Sequence, residues 1–291
     1  MDTWFIAELV LNGIIVGVIY ALVAMGLSLI FGLLGIVNFA HGEFYMLGAM
    51  LSYFLVTALG LNYWTAIAAV TLAGAFAGLL FYRGVLSRLG TGDFERSILL
   101  TIGVSMIIQN AGIYLWTTTP RIVPTPFSYT TLPLGELDVP LLRVLALGIA
   151  IAAFAALVVL LNGTLVGKAM RGVAESRDAA LMVGIEPRRI AALAVTIGVA
   201  LSGLAGAVLA PIYSVQPTMG AAFVFKAFAI VIIGSLGSLT GAAIAAVLLG
   251  VVESLIGGFF PTSLADSAAF VAMILVLLLK PEGLFGRGIR V

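Results

Sequence analysis

The chain of 291 residues holds a single histidine and no cysteine. Thiol nucleophiles, disulfides, zinc ribbons and iron–sulfur sites are therefore excluded, and a His-rich metal site lacks its ligands. The histidine falls in the segment 36–43, Ile-Val-Asn-Phe-Ala-His-Gly-Glu, which packs Asn38, His41 and Glu43 into six residues between apolar stretches. Three roles fit this group. His41 titrates nearest neutrality and can relay a proton with Glu43. The three side chains can line a polar vestibule. Or Asn38 or His41 caps the following helix while Glu43 favours its positive end. Three further charges stand in apolar surroundings, where an ionised group is costly and marks function by default: Glu8, Lys226 and Glu253. Glu8 lies near the start of the first apolar run and can reach lipid headgroups. Lys226 follows Phe225 where a span is expected to begin, a place from which a long side chain snorkels. Glu253 either lines a cavity or sits at an interface.

The stretch Gly234-Ser-Leu-Gly237-Ser-Leu-Thr-Gly241 looks like a phosphate loop at first sight. It lacks the Gly-Lys-Ser/Thr ending whose lysine meets the phosphates, and no strand precedes it as a dinucleotide turn requires. Gly237 and Gly241 form one of three Gly-x-x-x-Gly pairs, with Gly13/Gly17 and Gly74/Gly78. That spacing lets helix backbones approach closely in lipid. The alternative for 234–241 is unwound backbone lining a cavity at membrane depth. No Gly-x-Ser-x-Gly elbow, His-Glu-x-x-His or metal-spaced aspartate pair occurs. Neither an enzyme nor a nucleotide hydrolase is indicated, and no cofactor is expected on this chain.

The elements that must position these residues follow from composition. Hydrophobic residues make up 62% and charged residues 9% of the chain, with a net charge of +1. Soluble domains carry about 25% charged residues, so this chain belongs in lipid. The balanced charge excludes nucleic acid as a partner. No Asp, Glu, Lys or Arg occurs at 9–42, 44–82, 97–120, 144–167, 190–225 or 227–252. A bilayer core needs roughly 20 apolar residues per helix. With breaks at 60–63, Pro211, Pro217 and 234–241, the runs give spans near 7–32, 44–59, 64–82, 97–117, 143–162, 190–210, 226–234, 242–257 and 266–279. The fold class is an all-α polytopic membrane bundle, a single domain over 1–291, with about nine spans and a range of eight to ten. A re-entrant helix over 226–260 stays open beside two short spans.

Eleven of the 14 basic residues fall in 83–96, 163–189 and the tail after 279. These segments are expected in the cytoplasm. Parity then puts the amino terminus outside and the carboxyl terminus inside. The proline-rich stretch 118–142 becomes an outer loop.

The segment 163–189 is the most distinctive polar one. Residues 168–182 favour helix, with Met170, Val173, Ala174, Arg177 and Leu181 at helical spacing on one face. Gly184 supplies a stop, and Pro187 opposes continuation. The expected product is a short projecting helix, a turn, and re-entry into lipid at Ile190. Such a projection either fits a partner's groove or lies on anionic lipid through its five basic residues.

Asp178-Ala179-Ala180-x-x-x-Gly184 resembles the Glu-Ala-Ala-x-x-x-Gly coupling motif of ABC importer permeases, with Asp in place of Glu. The run Gly167-Lys-Ala-Met-Arg-Gly-Val-Ala-Glu175 is similar to that of the branched-chain amino acid permeases of the LivH type. So are Gly26-Leu-Ser-Leu-Ile-Phe-Gly through Asn38-Phe-Ala-His-Gly-Glu43, Ile233 to Gly241, and Leu279-Lys-Pro-Glu-Gly-Leu-Phe285. The resemblance runs nearly the whole chain. It implies a multi-pass subunit of the cell inner (plasma) membrane that moves branched-chain or other small apolar amino acids. ATP and magnesium would sit on separate cytoplasmic ATP-binding subunits. A periplasmic or extracellular solute-binding protein would feed the pathway, and a LivM-like second permease would complete it. The contact with the ATPase is assigned to Ala174, Glu175, Asp178, Ala179, Ala180, Gly184 and Ile185. The pathway or vestibule candidates are Asn38, His41, Glu43, Gly234, Gly237, Gly241 and Glu253. A permease for urea or short-chain amides shares nearly all these motifs. An ion-coupled secondary transporter, a more distant alternative, would need Glu253 and 234–241 as its coupling site.

Overall fold

Lipid offers no partner for backbone N–H and C=O groups, so each apolar run must satisfy them internally as a helix. In the computed structural model, residues 3–89, 93–134 and 137–286 are described. The tail residues Arg287 and Arg290, expected above to be cytoplasmic, lie outside the described residues. The elements in chain order are α1 (Thr3–Leu34), α2 (His41–Thr57), α3 (Tyr63–Gly84), α4 (Phe94–Trp116), β1 (Thr131–Leu134), β2 (Leu137–Pro140), α5 (Leu141–Gly163), α6 (Leu165–Glu175), α7 (Arg177–Met182), α8 (Pro187–Leu209), α9 (Met219–Gly234), α10 (Leu239–Phe259) and α11 (Thr262–Leu279). A 3-10 turn, Leu86–Arg88, follows α3.

Seven helices, α1, α3, α4, α5, α8, α10 and α11, are long and apolar enough to cross a membrane. The other two expected spans are also helices, but α2 and α9 have only 17 and 16 residues. At 1.5 Å per residue they reach about 26 and 24 Å, short of a bilayer core of about 30 Å. The stretch 226–260 is two helices divided at 235–238. The first begins at Met219, ahead of the start expected near 226, so Lys226 sits in the second turn of α9 and not at its boundary. The proline-rich outer segment, read as a loop, contains the antiparallel hairpin β1–β2, with Leu132 opposite Val139. A second tie pairs Arg121 with Val215 in an isolated bridge.

The centre of the bundle is α1 and α8, and close backbone approach positions everything around them. A Cβ on Gly13 would lie 2.5 Å from Val251 Cα, and one on Gly17 would lie 2.6 Å from Val247 Cα. The first Gly-x-x-x-Gly pair is thus the seam between α1 and α10. Gly26 meets Gly198 of α8, where a Cβ would lie 2.7 Å from the carbonyl oxygen. Gly78 brings α3 onto α8 at Thr196. Gly48 of α2 abuts Gly203 of α8, and Gly206 abuts the Tyr45 carbonyl. The third sequence pair does not share a face: Gly237 lies in the turn before α10, while Gly241 meets Gly234 across that turn. By contrast α4, α5 and α11 bury little of their length.

Gly17→Leu should force α1 and α10 apart and lower stability by about 1–3 kcal/mol, the usual overpacking cost. Gly103→Ala on α4, with nothing within 4 Å of the added methyl, should not lower it, and the better helix former should raise it by up to about 1 kcal/mol. Thermal unfolding of both variants in nanodiscs checks this. Equal shifts would show that the close seam is not what holds the bundle.

Candidate functional site

The projecting segment is built by three small stops. Thr164 opens α6 by accepting the Gly167 N–H on Oγ1 at 3.1 Å. Ser176 ends α6 and opens α7, accepting the Ala179 N–H on Oγ at 3.2 Å. Ser176 is extended, with φ −155° and ψ 114°. The helix expected over 168–182 is therefore two helices, because a serine that satisfies the next helix's amide competes with continuation. Gly184 closes α7 with φ +81°. Its N–H donates to the Leu181 carbonyl and the Ile185 N–H to the Ala180 carbonyl, each at 3.0 Å. That pair of bonds is the Schellman stop that a left-handed glycine permits. Pro187 then starts α8, where its missing N–H costs nothing.

Met170, Val173 and Ala180 are buried against the bundle, Ile185 is half-buried, and Ala174, Glu175, Asp178, Ala179 and Gly184 are exposed. Leu181, placed by helical spacing on one face with Met170 and Val173, follows the break at Ser176 and is exposed. It joins Met182 and Val183 in an exposed apolar triplet, which the sequence reading missed. Beside it runs a groove of about 410 Å³ between α7 and the end of α3, lined by Asp178, Leu181, Pro187, Tyr82, Leu86 and Ile36.

The segment 36–43 is a buried polar junction in which Phe39 alone is half-buried. Asn38 accepts the Ala40 N–H on Oδ1 at 3.1 Å, a turn just ahead of α2. No side chain caps α2 itself, since its cap residue is Ala40. His41 is the first residue of α2, and its Nε2 donates to the Val23 carbonyl of α1 at 3.2 Å. Glu43, in the first turn, accepts from Ser105 Oγ of α4 at 2.9 Å. Ser202 Oγ of α8 donates to the His41 carbonyl at 3.0 Å. Thr101 Oγ1 of α4 accepts the Phe39 N–H at 3.1 Å. Asn38, His41 and Glu43 are each 0% exposed, so no open vestibule reaches them in this conformation. His41 and Glu43 also address different helices. The junction leaves Asn38 Nδ2, His41 Nδ1 and Glu43 Oε2 without a protein hydrogen-bond partner. Sequence reasoning missed Ser105, Thr101 and Ser202. Their only signal was a hydroxyl in an apolar span.

The turn 235–238 sits level with the last turn of α1: a Cβ on Gly237 would lie 3.3 Å from Gly32 Cα. Ser235 has φ +89° and Gly237 φ +80°. Ser238 caps α10 by accepting the Gly241 N–H at 3.1 Å. The Ile233 carbonyl, left over at the end of α9, accepts the Leu284 N–H at 2.8 Å. Gly237 also lines a cavity of about 190 Å³ with Ser28, Gly32, Arg171 and Ala174. That cavity joins the turn to the projecting segment, a proximity that chain separation conceals.

At the other end of α10, Glu253 pairs with Lys226 of α9. Nζ lies 3.0 and 3.1 Å from the two carboxylate oxygens. It also lies 3.5 Å from Asp266 of α11 and 3.3 Å from the Tyr20 hydroxyl of α1. The Lys226 and Glu253 side chains are 14% and 10% exposed. Lys226 thus does not snorkel. It neutralises a carboxylate that would otherwise stand alone inside the bundle.

These helices, their glycine seams and their enclosed polar junctions define a multi-pass helical membrane protein. The profile of the family described as "Branched-chain amino acid transport system / permease component" matches residues 9–279. The chain belongs to that family of transport subunits. It is 30% identical to the high-affinity branched-chain amino acid transport system permease protein LivH of Escherichia coli, covering 95% of this chain and 94% of that protein. It is 29% identical to BraD of Pseudomonas aeruginosa, a permease protein of the same description, covering 95% and 94%. It is also 29% identical to LivM of Escherichia coli, covering 91% of this chain and 67% of that protein. No solved structure matches.

Lys226→Met should leave the Glu253 carboxylate enclosed without its cation and lower stability by about 3–5 kcal/mol. Adding Glu253→Leu should recover most of that loss. A double-mutant cycle on unfolding in nanodiscs checks the pair, and additive losses would rule it out.

Proposed function

We propose that this chain is one transmembrane subunit of an ABC importer for branched-chain or other small apolar amino acids in the inner (plasma) membrane. The orientation proposed is amino terminus outside and carboxyl terminus cytoplasmic, with nine helices, α1–α5 and α8–α11, crossing or entering the bilayer. The whole chain acts as one permease domain. ATP and magnesium reside on two cytoplasmic partner subunits, a soluble binding protein delivers the substrate to the hairpin end, and a LivM-like permease completes the pathway.

The observation that carries this reading is the ordered α6–α7 projection. It has two capped starts and a glycine stop, an exposed Asp178-Ala179 face with an apolar tip, and a groove beside it. A lipid-held loop has no need of so defined a shape. A short helix with an apolar tip suits a partner's groove. Met170 and Val173 root the projection in the bundle, where α6 packs directly on α1 and α8. A push on α7 from an ATPase is thus transmitted to α1, which in turn bears on α8 and α10 through glycine seams. Asp178 lies in the first turn of α7, where the helix dipole favours its charge. The buried junction at 36–43 and the turn at Gly234, Gly237 and Gly241 are proposed as the positions where α1, α2, α9 and α10 change their relative placement during transport.

Gly184→Val should abolish ATP-dependent leucine uptake in vesicles holding the assembled transporter. A β-branched residue at φ +81° is strained by about 1–3 kcal/mol and unmakes the α7 stop. The variant should still insert, and ATPase subunits should no longer copurify with it. Normal copurification together with normal uptake would refute the coupling role. Uptake of urea or acetamide but not leucine by the unmutated assembly would refute the amino-acid substrate.

A further inference from the structure

The charges around Glu253 do more than cancel one another. They form the floor of a chamber of about 440 Å³ between α1, α9, α10, α11 and the start of α5. That volume lies within the range of small-molecule sites, about 300–1,000 Å³. Its charged lining consists of Lys226, Arg143, Glu253 and Asp266, two cations and two anions. A chamber that served only as a packing defect would be lined by apolar groups. A chamber built for an anion or a cation would carry an excess of one sign. This one is balanced, with its four charges supplied by α5, α9, α10 and α11.

The chamber has a floor and a rim. Glu253 is 9% exposed, and its partner Lys226 is equally enclosed. The Asp266 side chain is 78% exposed, and at 3.5 Å it is the loosest of the lysine's partners. Gly257 and Thr262 beside it are exposed as well. The opening therefore lies where α10 passes into α11, at the hairpin end of the bundle. Arg143 at the first turn of α5 donates one N–H to Asn12 Oδ1. A guanidinium has five N–H donors, and the planar fork is suited to a carboxylate. Val16, Gly250, Gly257 and Ala265 supply an apolar wall that leaves room for a side chain.

We propose that this chamber binds the zwitterionic head of a free amino acid. The ammonium is taken by Asp266 and Glu253, and the carboxylate by Arg143 and Lys226. The apolar side chain lies against Val16, Gly250 and Ala265. The loose Lys226–Asp266 contact opens to admit the ammonium, and the Lys226–Glu253 pair shifts to share its charges with the ligand. Each charge that the ligand displaces is replaced by one of the same sign, so no ion is left enclosed and unpaired. The choice of an amino acid over other zwitterions rests on the function proposed above. The zwitterion site itself rests on the chamber.

The test uses the full chain in nanodiscs with radiolabelled L-leucine as probe. Leucine should bind saturably. 4-Methylpentanoate, which lacks the ammonium, and 3-methylbutylamine, which lacks the carboxylate, should each compete far more weakly. Asp266→Asn and Glu253→Gln should each weaken leucine binding by about tenfold or more, as loss of one partner of a charge contact does. Asp266 is exposed, so its variant should keep the wild-type unfolding temperature and separates lost binding from lost folding. Equal competition by the one-headed analogues would overturn the site, as would wild-type affinity in the folded Asp266→Asn variant. Saturable binding of glycine betaine but not leucine, lost in Asp266→Asn, would keep the site and overturn the amino-acid reading. Unchanged leucine uptake by an assembled transporter carrying Asp266→Asn would overturn the site and keep the transport function.

Discussion

Helices in lipid gain nothing by hiding apolar surface from one another, because the lipid tails are equally apolar. What holds this bundle is close contact between backbones, and everything else depends on it. Gly13 and Gly17 admit α10 to α1. Gly26 and Gly198 admit α8, and Gly48, Gly203 and Gly206 admit α2. At these points the van der Waals contact is made by the main chain itself, with no side chain between to act as a cushion. The result is a stiff centre of α1 and α8, with α3, α4, α5, α10 and α11 around it burying much less. A subunit of this kind transmits displacement well, since packed backbones have no slack to absorb it.

Polar groups then decide where the stiff centre is tied and where it can part. The junction at Asn38, His41 and Glu43 reaches α1, α4 and α8 through single hydrogen bonds to Val23, Ser105 and Ser202. Gly220 of α9 closes it from the remaining side, against Gly42 and the Glu43 carboxylate. Three of its atoms keep unused bonding capacity. Buried polar groups left partly unsatisfied cost stability, so their presence at the meeting of five helices marks a point where an alternative arrangement would be less costly than elsewhere. The chamber at Lys226 and Glu253 lies further along α9, beyond Gly220. It ties α9, α10, α11 and α1 with charges, whose partners can be exchanged, in place of glycines, whose contacts cannot.

The sequence made the large features legible for reasons of solvent and spacing. Runs without charge had to be helices, and all nine expected segments are helices. Gly184 read correctly as a stop because it acts through its own backbone geometry, whereas Pro187, read only as opposing continuation, is the first residue of α8. The failures came where a local signal met a neighbour far along the chain. Lys226 read as a boundary lysine because it divides the uncharged runs 190–225 and 227–252. In fact the helix starts at Met219, and Glu253 and Asp266 receive the charge. The helix over 168–182 read as continuous because Ser176 is tolerated in a helix. Its side chain instead caps α7, which swings Leu181 to the surface.

By itself, then, the amino-acid order determined that the chain lives in lipid, where its helices lie, which loops are basic, and which family its motifs resemble. These follow from composition, periodicity and residue-specific backbone preference, all of which act within a few residues. Only the tertiary structure decided which glycines meet, since Gly237 and Gly241 share a spacing with Gly13 and Gly17 but not a helix face. Only it decided that Glu43 turns to Ser105 and Glu253 to Lys226. A carboxylate inside lipid must find a partner, but its sequence neighbours do not say which helix will supply one. That choice is made when the bundle closes and enclosure makes an unpaired charge too costly to keep.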